Sequence, residues 1–250
     1  MVPQLGLGSG RPRRLPRRQP KGSPWAVTPS ETRPDSRLPL DRYTEGGRGH
    51  AWDYDRAGAQ MIDPATVKRW TVEEVEALPY EEGCHYEIID GELCVSRTPR
   101  TAHQATRGNA FFALKVWNDQ AGLGEVLSEP GVIFSRHDAV EPDVAWLSLA
   151  RRTAIEGDDG HLHGAPELVI EVLSPGAVNE RRDRETKRDL YARHGVDEYW
   201  IIDWRRQTVA VYRRTGDALP LVGTLSRDDV LRSPLLPGFA VTVGHLFARP

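Results

Sequence analysis

The sequence contains little cysteine and no long hydrophobic run. Its two cysteines, Cys84 and Cys94, lie ten residues apart with no CxxC motif or histidine pair nearby, which argues against a disulfide framework and a structural zinc site. No stretch approaches the roughly eighteen apolar residues of a membrane span. The first twenty residues carry glycine, proline and arginine where a signal peptide needs an apolar segment. We therefore expect a cytoplasmic protein with two buried free thiols and no membrane partner.

Charge is distributed unevenly along the 250 residues. Residues 1–50 carry ten basic and four acidic side chains, whereas the other 200 residues carry 23 basic and 32 acidic ones. The first segment also holds eight of the 19 prolines and seven of the 23 glycines, so it buries too little surface to offset the entropy of ordering. We predict a disordered basic arm over residues 1–60 and one folded domain over residues 61–250. The arm is either a solvated tail, the commoner case, or a contact for nucleic-acid phosphates.

Local sequence signals predict how the folded part begins. Thr71 followed by Glu74 forms a capping box, which predicts a short helix. The pair Asp90-Gly91 between two apolar runs predicts a hairpin with a two-residue turn over residues 85–95. A long helix is predicted over residues 102–121, with Gly122 as its C-terminal stop. The predicted core face of this helix consists of Phe111, Leu114, Trp117 and Ala121.

The rest of the chain alternates between strand and helix patterns. The predicted elements are strands at residues 124–127, 132–134, 140–147 and 167–173, a helix at 180–194, and strands at 199–202 and 209–212. The strand at 167–173 is apolar on both of its faces, as an inner strand covered by helices on both sides would be. This order predicts an α/β (α+β) fold in which helices flank a mixed β-sheet.

Two acidic residues fall within apolar strands. Glu171 has only apolar neighbours, so a lone ionised carboxylate there is costly to desolvate. Asp143 follows Pro142 and makes the same demand for a partner, which is a metal ion, a cation or a proton bound through a raised pKa. Two adjacent strands that each present one acid can hold a divalent cation. The alternative for each acid alone is a carboxylate satisfied by backbone amides or an arginine.

A lysine is the third residue of interest. Lys187 precedes Leu190 by three residues and Tyr191 by four, so it shares the helix face that packs on the sheet. The competing interpretation is that its stem lies along apolar surface and its ammonium lies in water. The surrounding arginines and acids are typical of a solvated helix face.

Several of these fragments occur in the order found in a known family. Pro142-Asp143-Val144, the strand at 167–173 with Ser174-Pro175, Lys187 with Tyr191, and the strand at 198–203 resemble the Uma-type restriction endonuclease family. That family belongs to the PD-(D/E)xK nuclease superfamily. The similarity extends from about residue 71 to residue 248, and the first sixty residues have no counterpart in it.

The resemblance implies a restriction-endonuclease-like core and nuclease chemistry on DNA. It assigns Asp143 and Glu171 as ligands of Mg²⁺, with Mn²⁺ as a substitute. In the superfamily's usual pattern a lysine lies two residues after the strand glutamate, but Leu173 occupies that position here. The family's lysine then corresponds to Lys187 on the following helix. Two arginines compete with it as the catalytic cation and are weak candidates for phosphate contacts, Arg184 and Arg188.

The chemistry of phosphodiester hydrolysis fits these residue types. A metal ion neutralises developing charge, lowers the pKa of the attacking water and holds the phosphate. Lys187 would orient that water or help to deprotonate it. Glu87 in the hairpin and His103 at the start of the long helix are further candidates for a ligand or a proton relay. We favour the alternatives, which are a cross-strand ion pair for Glu87 and a helix-start hydrogen bond for His103.

The acidity of the folded part argues against DNA cleavage, since nucleic-acid binders usually carry a basic surface. The basic residues between positions 181 and 188 are the local exception. Two other functions therefore stay open. One is a noncatalytic DNA-binding or protein-interaction module on the same fold, and the other is a metal-dependent hydrolase of a smaller phosphoester. Homodimerisation also stays open.

Overall fold

A computed structural model of the chain describes residues 52–53, 60–61, 68–79 and 81–248, with side chains from residue 68 onward. Trp52–Asp53 and Gln60–Met61 form a short antiparallel pair. The rest of the predicted basic arm, residues 1–60, lies outside the described residues. In the described part, no helix is long and apolar enough to cross a membrane.

The elements of the described part follow one another in this order: β1 Trp52–Asp53, β2 Gln60–Met61, α1 Val72–Glu76, β3 Cys84–Ile89, β4 Glu92–Arg97, α2 Thr101–Ala121, β5 Gly124–Ser128, β6 Val132–Ser135, β7 Asp138–Val140, β8 Val144–Ser148, α3 Leu149–Ile155, β9 Leu168–Val172, α4 Ala177–Arg181, a π-helical segment Arg182–Lys187, α5 Arg188–His194, β10 Glu198–Asp203, β11 Thr208–Arg213, β12 Leu221–Leu225, β13 Val230–Leu231, β14 Val241–Thr242 and a 3₁₀ turn Val243–Phe247.

A six-stranded mixed sheet forms the centre of the fold, with strand order β12-β11-β10-β9-β8-β5. Strands β9 and β10 run parallel and the other neighbours pair antiparallel. Every residue of β9 is buried, because one hydrophobic cluster covers each face of the sheet. Val169 and Tyr191 of α5 belong to the cluster on one face, and Ile170 and Leu114 of α2 belong to the cluster on the other. This arrangement confirms the predicted mixed sheet flanked by helices.

A smaller four-stranded antiparallel sheet, with order β4-β3-β7-β6, contains the predicted hairpin. Its two-residue turn has positive φ angles of 54° at Asp90 and 80° at Gly91, as the sequence predicts. The single strand predicted over residues 140–147 is wrong. The chain instead forms β7 in this sheet and β8 in the large one, because Pro142 between them lacks an amide hydrogen for a ladder bond. Asp143 therefore lies where the two sheets meet.

Helix α2 ends as predicted, at Gly122 with φ 65°. Its buried face differs from the prediction, because Phe111, Trp117 and Ala121 are only half-buried. The buried stripe is largely polar and consists of His103, Thr106, Ala110, Leu114 and Asn118. The polar residues of this stripe are buried because they form contacts, which a search for apolar periodicity cannot detect. Asn118, for example, accepts a hydrogen bond from Trp146 Nε1 at 3.0 Å and donates one to the Gly124 carbonyl at 2.8 Å.

The predicted helix at residues 180–194 begins earlier, at Ala177, and continues to His194 through the π-helical segment. A π-helical turn contains about one residue more than an α-helical turn, so it changes which side chains face the sheet, and such turns are frequent at functional sites. Two charged residues of this segment are buried, Asp183 and Lys187. The capping box of α1 forms as predicted between Thr71 and Glu74.

Candidate active site

A cleft opens where the two sheets, the start of α2 and the π-helical segment meet. Its lining is mostly polar and consists of His85, Glu87, Ser96, Arg97, Pro99, His103, Glu129, Glu141, Asp143, Glu171, Val172, Ser174, Arg182, Asp183 and Lys187. Five of the predicted site residues are among them: Glu87, His103, Asp143, Glu171 and Lys187. The structure thus brings together side chains that lie up to 100 residues apart in the sequence.

Asp143 is positioned by the strand next to it. Its Oδ2 accepts a hydrogen bond from the Val172 amide at 2.7 Å, across the β8–β9 pair. Its Oδ1 lies 4.0 Å from the Arg107 guanidinium and accepts no hydrogen bond from any described residue. Burial, and then the charge of Glu171, raise the pKa of Asp143 well above its usual value. Asp143 therefore keeps one oxygen without a donor and lacks sufficient compensation for its charge.

Glu171 shows the same asymmetry between its two oxygens. Its Oε1 accepts hydrogen bonds from Lys187 Nζ at 2.9 Å and from the Tyr191 hydroxyl at 2.7 Å. Within the described part of the chain, no donor reaches its Oε2. Burial raises the pKa of Glu171 to about 7, because Lys187 offsets only part of the desolvation and other carboxylates add repulsion.

Lys187 points into the molecule, with only 3% of its surface exposed. Its ammonium lies 2.8 Å from Glu87 Oε1 and 2.9 Å from Glu171 Oε1. Burial alone would lower the pKa of Lys187, but the charges of Glu171, Glu87 and Asp183 outweigh it and raise that pKa. The side chain is therefore a fixed cation between two carboxylates.

Glu87 is the second carboxylate on this lysine. Its neighbour across the hairpin is Cys94, so the cross-strand ion pair that we favoured from the sequence is wrong, and its cation comes from the helix instead. Its Oε1 also accepts a hydrogen bond from the Glu141 amide at 3.0 Å. Burial would raise the pKa of Glu87, yet Lys187 and Arg182 hold it below its usual value.

His103 lies in the first turn of α2, where its Nε2 is 3.4 Å from Asp143 Oδ2. Burial lowers the pKa of His103 to about 4, so the ring is neutral at pH 7. Its Nδ1 is buried and has no hydrogen-bond partner among the described residues. The neutral ring therefore contacts Asp143 through Nε2 and leaves Nδ1 without a partner in the described part.

The two arginines that the sequence suggested lie outside the cleft. Arg184 lies 3.5 Å from Asp203, and Arg188 lies 2.9 Å from Asp189. Arg182, which sequence reasoning missed, lines the cleft instead. An α-helical period gives no signal for this, because the π-helical segment changes the register of the side chains.

The sequence predicts Tyr191 on the core face of the helix but not in the site. Its hydroxyl contact with Glu171 follows from its position four residues after Lys187, which places both side chains on one face. The i, i+4 spacing could therefore have identified it.

Asp143 and Glu171 fit a magnesium or manganese ion. Each has one carboxylate oxygen without a donor in the described part. The pKa of each is raised, so its ionised form is poorly stabilised, and a bound cation would stabilise it. Among the residues that the structure describes, no group of three His, Cys, Asp or Glu side chains is already arranged to hold a metal. Mg²⁺ commonly takes only one or two carboxylates and keeps several waters, so two acids suffice.

Comparisons with known proteins bear on the family and the fold of the chain. A family model, Uma2, described as "Putative restriction endonuclease", matches residues 72–244. The crystal structure of a putative nuclease belonging to DUF820 from Anabaena variabilis ATCC 29413 is 23% identical, and the match covers 71% of this chain and 97% of that one with a TM-score of 0.57. The type IIG restriction endonuclease BpuSI is 15% identical, over 58% of this chain and 15% of that one, with a TM-score of 0.32. No curated protein matches the chain.

The first of these structures shares the fold of this chain. The family model covers more than two thirds of the chain and includes every residue of the cleft. The chain therefore belongs to the Uma2 family of putative restriction endonucleases.

Proposed function

We propose that the protein is a divalent-metal-dependent endonuclease that hydrolyses phosphodiester bonds of DNA. One observation supports this most: two buried acids, Asp143 just before β8 and Glu171 on the neighbouring β9, each keep an oxygen without a donor among the described residues, in a cleft that also holds a buried lysine. Restriction endonucleases act on DNA, and membership of this family supports DNA as the substrate. The expected location in the cytoplasm would give access to it.

Asp143 and Glu171 hold the metal in this proposal. The bound ion would neutralise charge on the phosphate and lower the pKa of a water ligand. Asp143 Oδ1 and Glu171 Oε2 would be available to the ion, because the other oxygen of each acid is already hydrogen-bonded. The hydrogen bonds fix both carboxylates before substrate arrives, and such preorganisation is a main source of catalytic power.

Lys187 acts as a cation and not as a base. Its pKa is raised, so an ammonium that is already protonated cannot accept a proton from water. It orients the attacking water and opposes the negative charge of the phosphate. Glu87 supports this role, because it contacts the ammonium in addition to Glu171.

Nicking of supercoiled plasmid by the purified protein tests the proposal. With Mg²⁺ or Mn²⁺ the wild type should nick the plasmid, and Asp143→Asn should lose about a thousandfold or more in rate because a metal ligand contributes several kcal/mol. Asp189→Asn is the matched control, since Asp189 is half-exposed on α5, outside the cleft, and should nick like the wild type.

Two outcomes would favour the other functions. Metal-dependent hydrolysis of bis(p-nitrophenyl) phosphate without any nicking would identify a hydrolase of smaller phosphoesters. Binding of DNA without hydrolysis of either substrate would identify a noncatalytic module. Nicking by Asp143→Asn at the wild-type rate would refute the site.

A further inference from the structure

The cleft contains more negative than positive charge. Its lining includes six carboxylates, Glu87, Glu129, Glu141, Asp143, Glu171 and Asp183, but only three side chains that are always cationic, Arg97, Arg182 and Lys187. Lys187 already contacts two of the carboxylates. A DNA backbone that enters this cleft therefore needs cations other than Lys187 and the metal to contact its phosphates.

Arg182 has few polar contacts for a largely buried arginine. Its side chain is only 17% exposed, yet its one polar contact among the described residues is an ion pair of 3.6 Å from Nε to Asp183 Oδ1. Its Nε is buried and has no hydrogen-bond partner among these residues. Largely buried polar groups are almost always hydrogen-bonded. An arginine that lines a cleft and has only this one long ion pair with the described residues therefore points to an anionic ligand.

Arg97 provides a second free guanidinium on another element of the same cleft. It is the last residue of β4, and its side chain is exposed. Its guanidinium forms no hydrogen bond or ion pair with any described residue, although its backbone pairs with Cys84 in the hairpin. The other strand of that hairpin carries Glu87, which contacts Lys187, so the hairpin holds Arg97 on the rim of the site.

We infer that Arg97 and Arg182 form a phosphate subsite that binds the DNA backbone beside the bond to be cleaved. A guanidinium matches two phosphate oxygens at once, which an ammonium does not. This subsite replaces the roles that the sequence suggested for Arg184 and Arg188. The inference rests on the proposed function, since it assumes that DNA is the substrate of the cleft.

Equilibrium binding of a short labelled DNA duplex tests the subsite without requiring cleavage. The protein carries Glu171→Gln throughout, which prevents turnover, and affinity is measured by anisotropy at several salt concentrations. Arg97→Gln and Arg182→Gln should each weaken binding by about tenfold, the usual effect of losing one charged hydrogen-bonded contact. Each should also reduce the slope of log affinity against log salt by about one.

Matched variants separate this effect from a general loss of charge. Arg184→Gln and Arg188→Gln remove the same charge from the same helix outside the cleft and should keep the wild-type slope. Arg182→Lys guards against unfolding, because it retains the charge beside Glu87 and Asp183. It should keep the slope but bind several-fold more weakly, since a lysine binds phosphate through one point.

The possible outcomes separate the subsite from the proposed function. Unchanged slopes in both Arg97→Gln and Arg182→Gln, or equal losses in Arg184→Gln and Arg188→Gln, would refute the subsite even if the wild type nicks plasmid. Arginine-dependent binding by a protein that does not nick would support the subsite and refute the enzyme. A wild type that neither binds nor nicks DNA would overturn both.

Discussion

Glu171 and Glu198 are both buried acids on neighbouring strands of the large sheet, yet their surroundings differ. Glu198 on β10 is fully buried, and both of its oxygens have partners: Oε1 accepts from Trp200 Nε1 at 2.7 Å, and Oε2 accepts from Ser233 Oγ at 2.9 Å and Arg213 Nε at 3.2 Å. Glu171 on β9 uses only Oε1, and its second oxygen has no donor among the described residues.

The comparison shows that burial alone does not identify a functional acid. A satisfied carboxylate such as Glu198 fixes β10, β11 and the segment around residue 233 to one another. Glu171 retains a free oxygen and has a raised pKa beside a second acid, Asp143. An unused ligand atom and uncompensated charge are the features that a cation would relieve.

The largest expected effect concerns Lys187, the cation that contacts Glu171, in comparison with Arg213, the cation that contacts Glu198. Lys187→Ala should reduce nicking by about a thousandfold while metal binding is retained, because the ammonium acts on water and phosphate. Lys187→Arg should not restore the rate fully, since a planar guanidinium does not replace a compact ammonium. Plasmid nicking and calorimetry measure both quantities. Arg213→Ala, the matched change at Glu198, should nick normally when folded, and equal losses in the two variants would contradict the distinction.

The next effect is a dependence of stability on pH. The pKa of Glu171 rises from its usual 4.5 to about 7 in the folded state, so folding favours the protonated form. The resulting stability is complete below about pH 4.5 and is lost as the pH rises through about 7, a change of about 3 kcal/mol. Urea denaturation without divalent ions should show this loss as the difference between the wild type and Glu171→Gln, because the raised pKa of Asp143 and the lowered pKa of His103 contribute to the pH profiles of both proteins. Glu171→Gln should remove the contribution of Glu171 and Glu198→Gln should keep it, whereas an identical pH profile in all three proteins would count against the assignment.

A smaller effect is expected at the satisfied acid. Glu198→Gln should lower the free energy of unfolding by about 2 kcal/mol, because it weakens charged hydrogen bonds to Arg213 and Ser233. Nicking per folded molecule should not change. Denaturation and plasmid nicking on the same preparation check both statements, and a loss of nicking without a loss of stability would reverse the roles of the two acids.

The smallest effect concerns the hydroxyl that fixes Glu171. Tyr191→Phe removes one hydrogen bond to Oε1, so it should destabilise the protein by about 1 kcal/mol and raise the midpoint of the pH-dependent loss of stability. Tyr199→Phe is the control, since its hydroxyl donates to the Asp183 carbonyl at 2.9 Å and not to a carboxylate. A shift of the pH midpoint in both variants, or in neither, would show that Tyr191 does not position Glu171.

Much of the fold could be predicted because its signals are local. The turn at Asp90-Gly91, the stop at Gly122 and the apolar strand β9 depend on residues within a few positions of one another. The split of residues 140–147 between two sheets depends on which strands are available as neighbours. That information is not local, so the sequence did not reveal it.

The candidate site was partly predictable for the same reason. The apolar neighbours of Glu171 indicate a functional acid. Glu198 also begins an apolar strand, but the strand does not indicate that its partners are the distant Arg213 and Ser233. The sequence correctly predicts that Lys187 shares a face with Leu190 and Tyr191. Lys187 is the last residue of the π-helical segment and the other two lie in α5, so the α-helical period applies to them. Arg182 lies at the start of that segment, where an α-helical period misassigns the face.

Titration calorimetry of Mg²⁺ or Mn²⁺ binding tests most directly whether Glu171, and not Glu198, belongs to a metal site. The wild type and Glu198→Gln should bind the ion with the same affinity, whereas Glu171→Gln and Asp143→Asn should each bind it much more weakly, because each loses a charged oxygen ligand. Equal affinity in all four proteins, or a loss confined to Glu198→Gln, would contradict the assignment of Asp143 and Glu171 as the metal ligands.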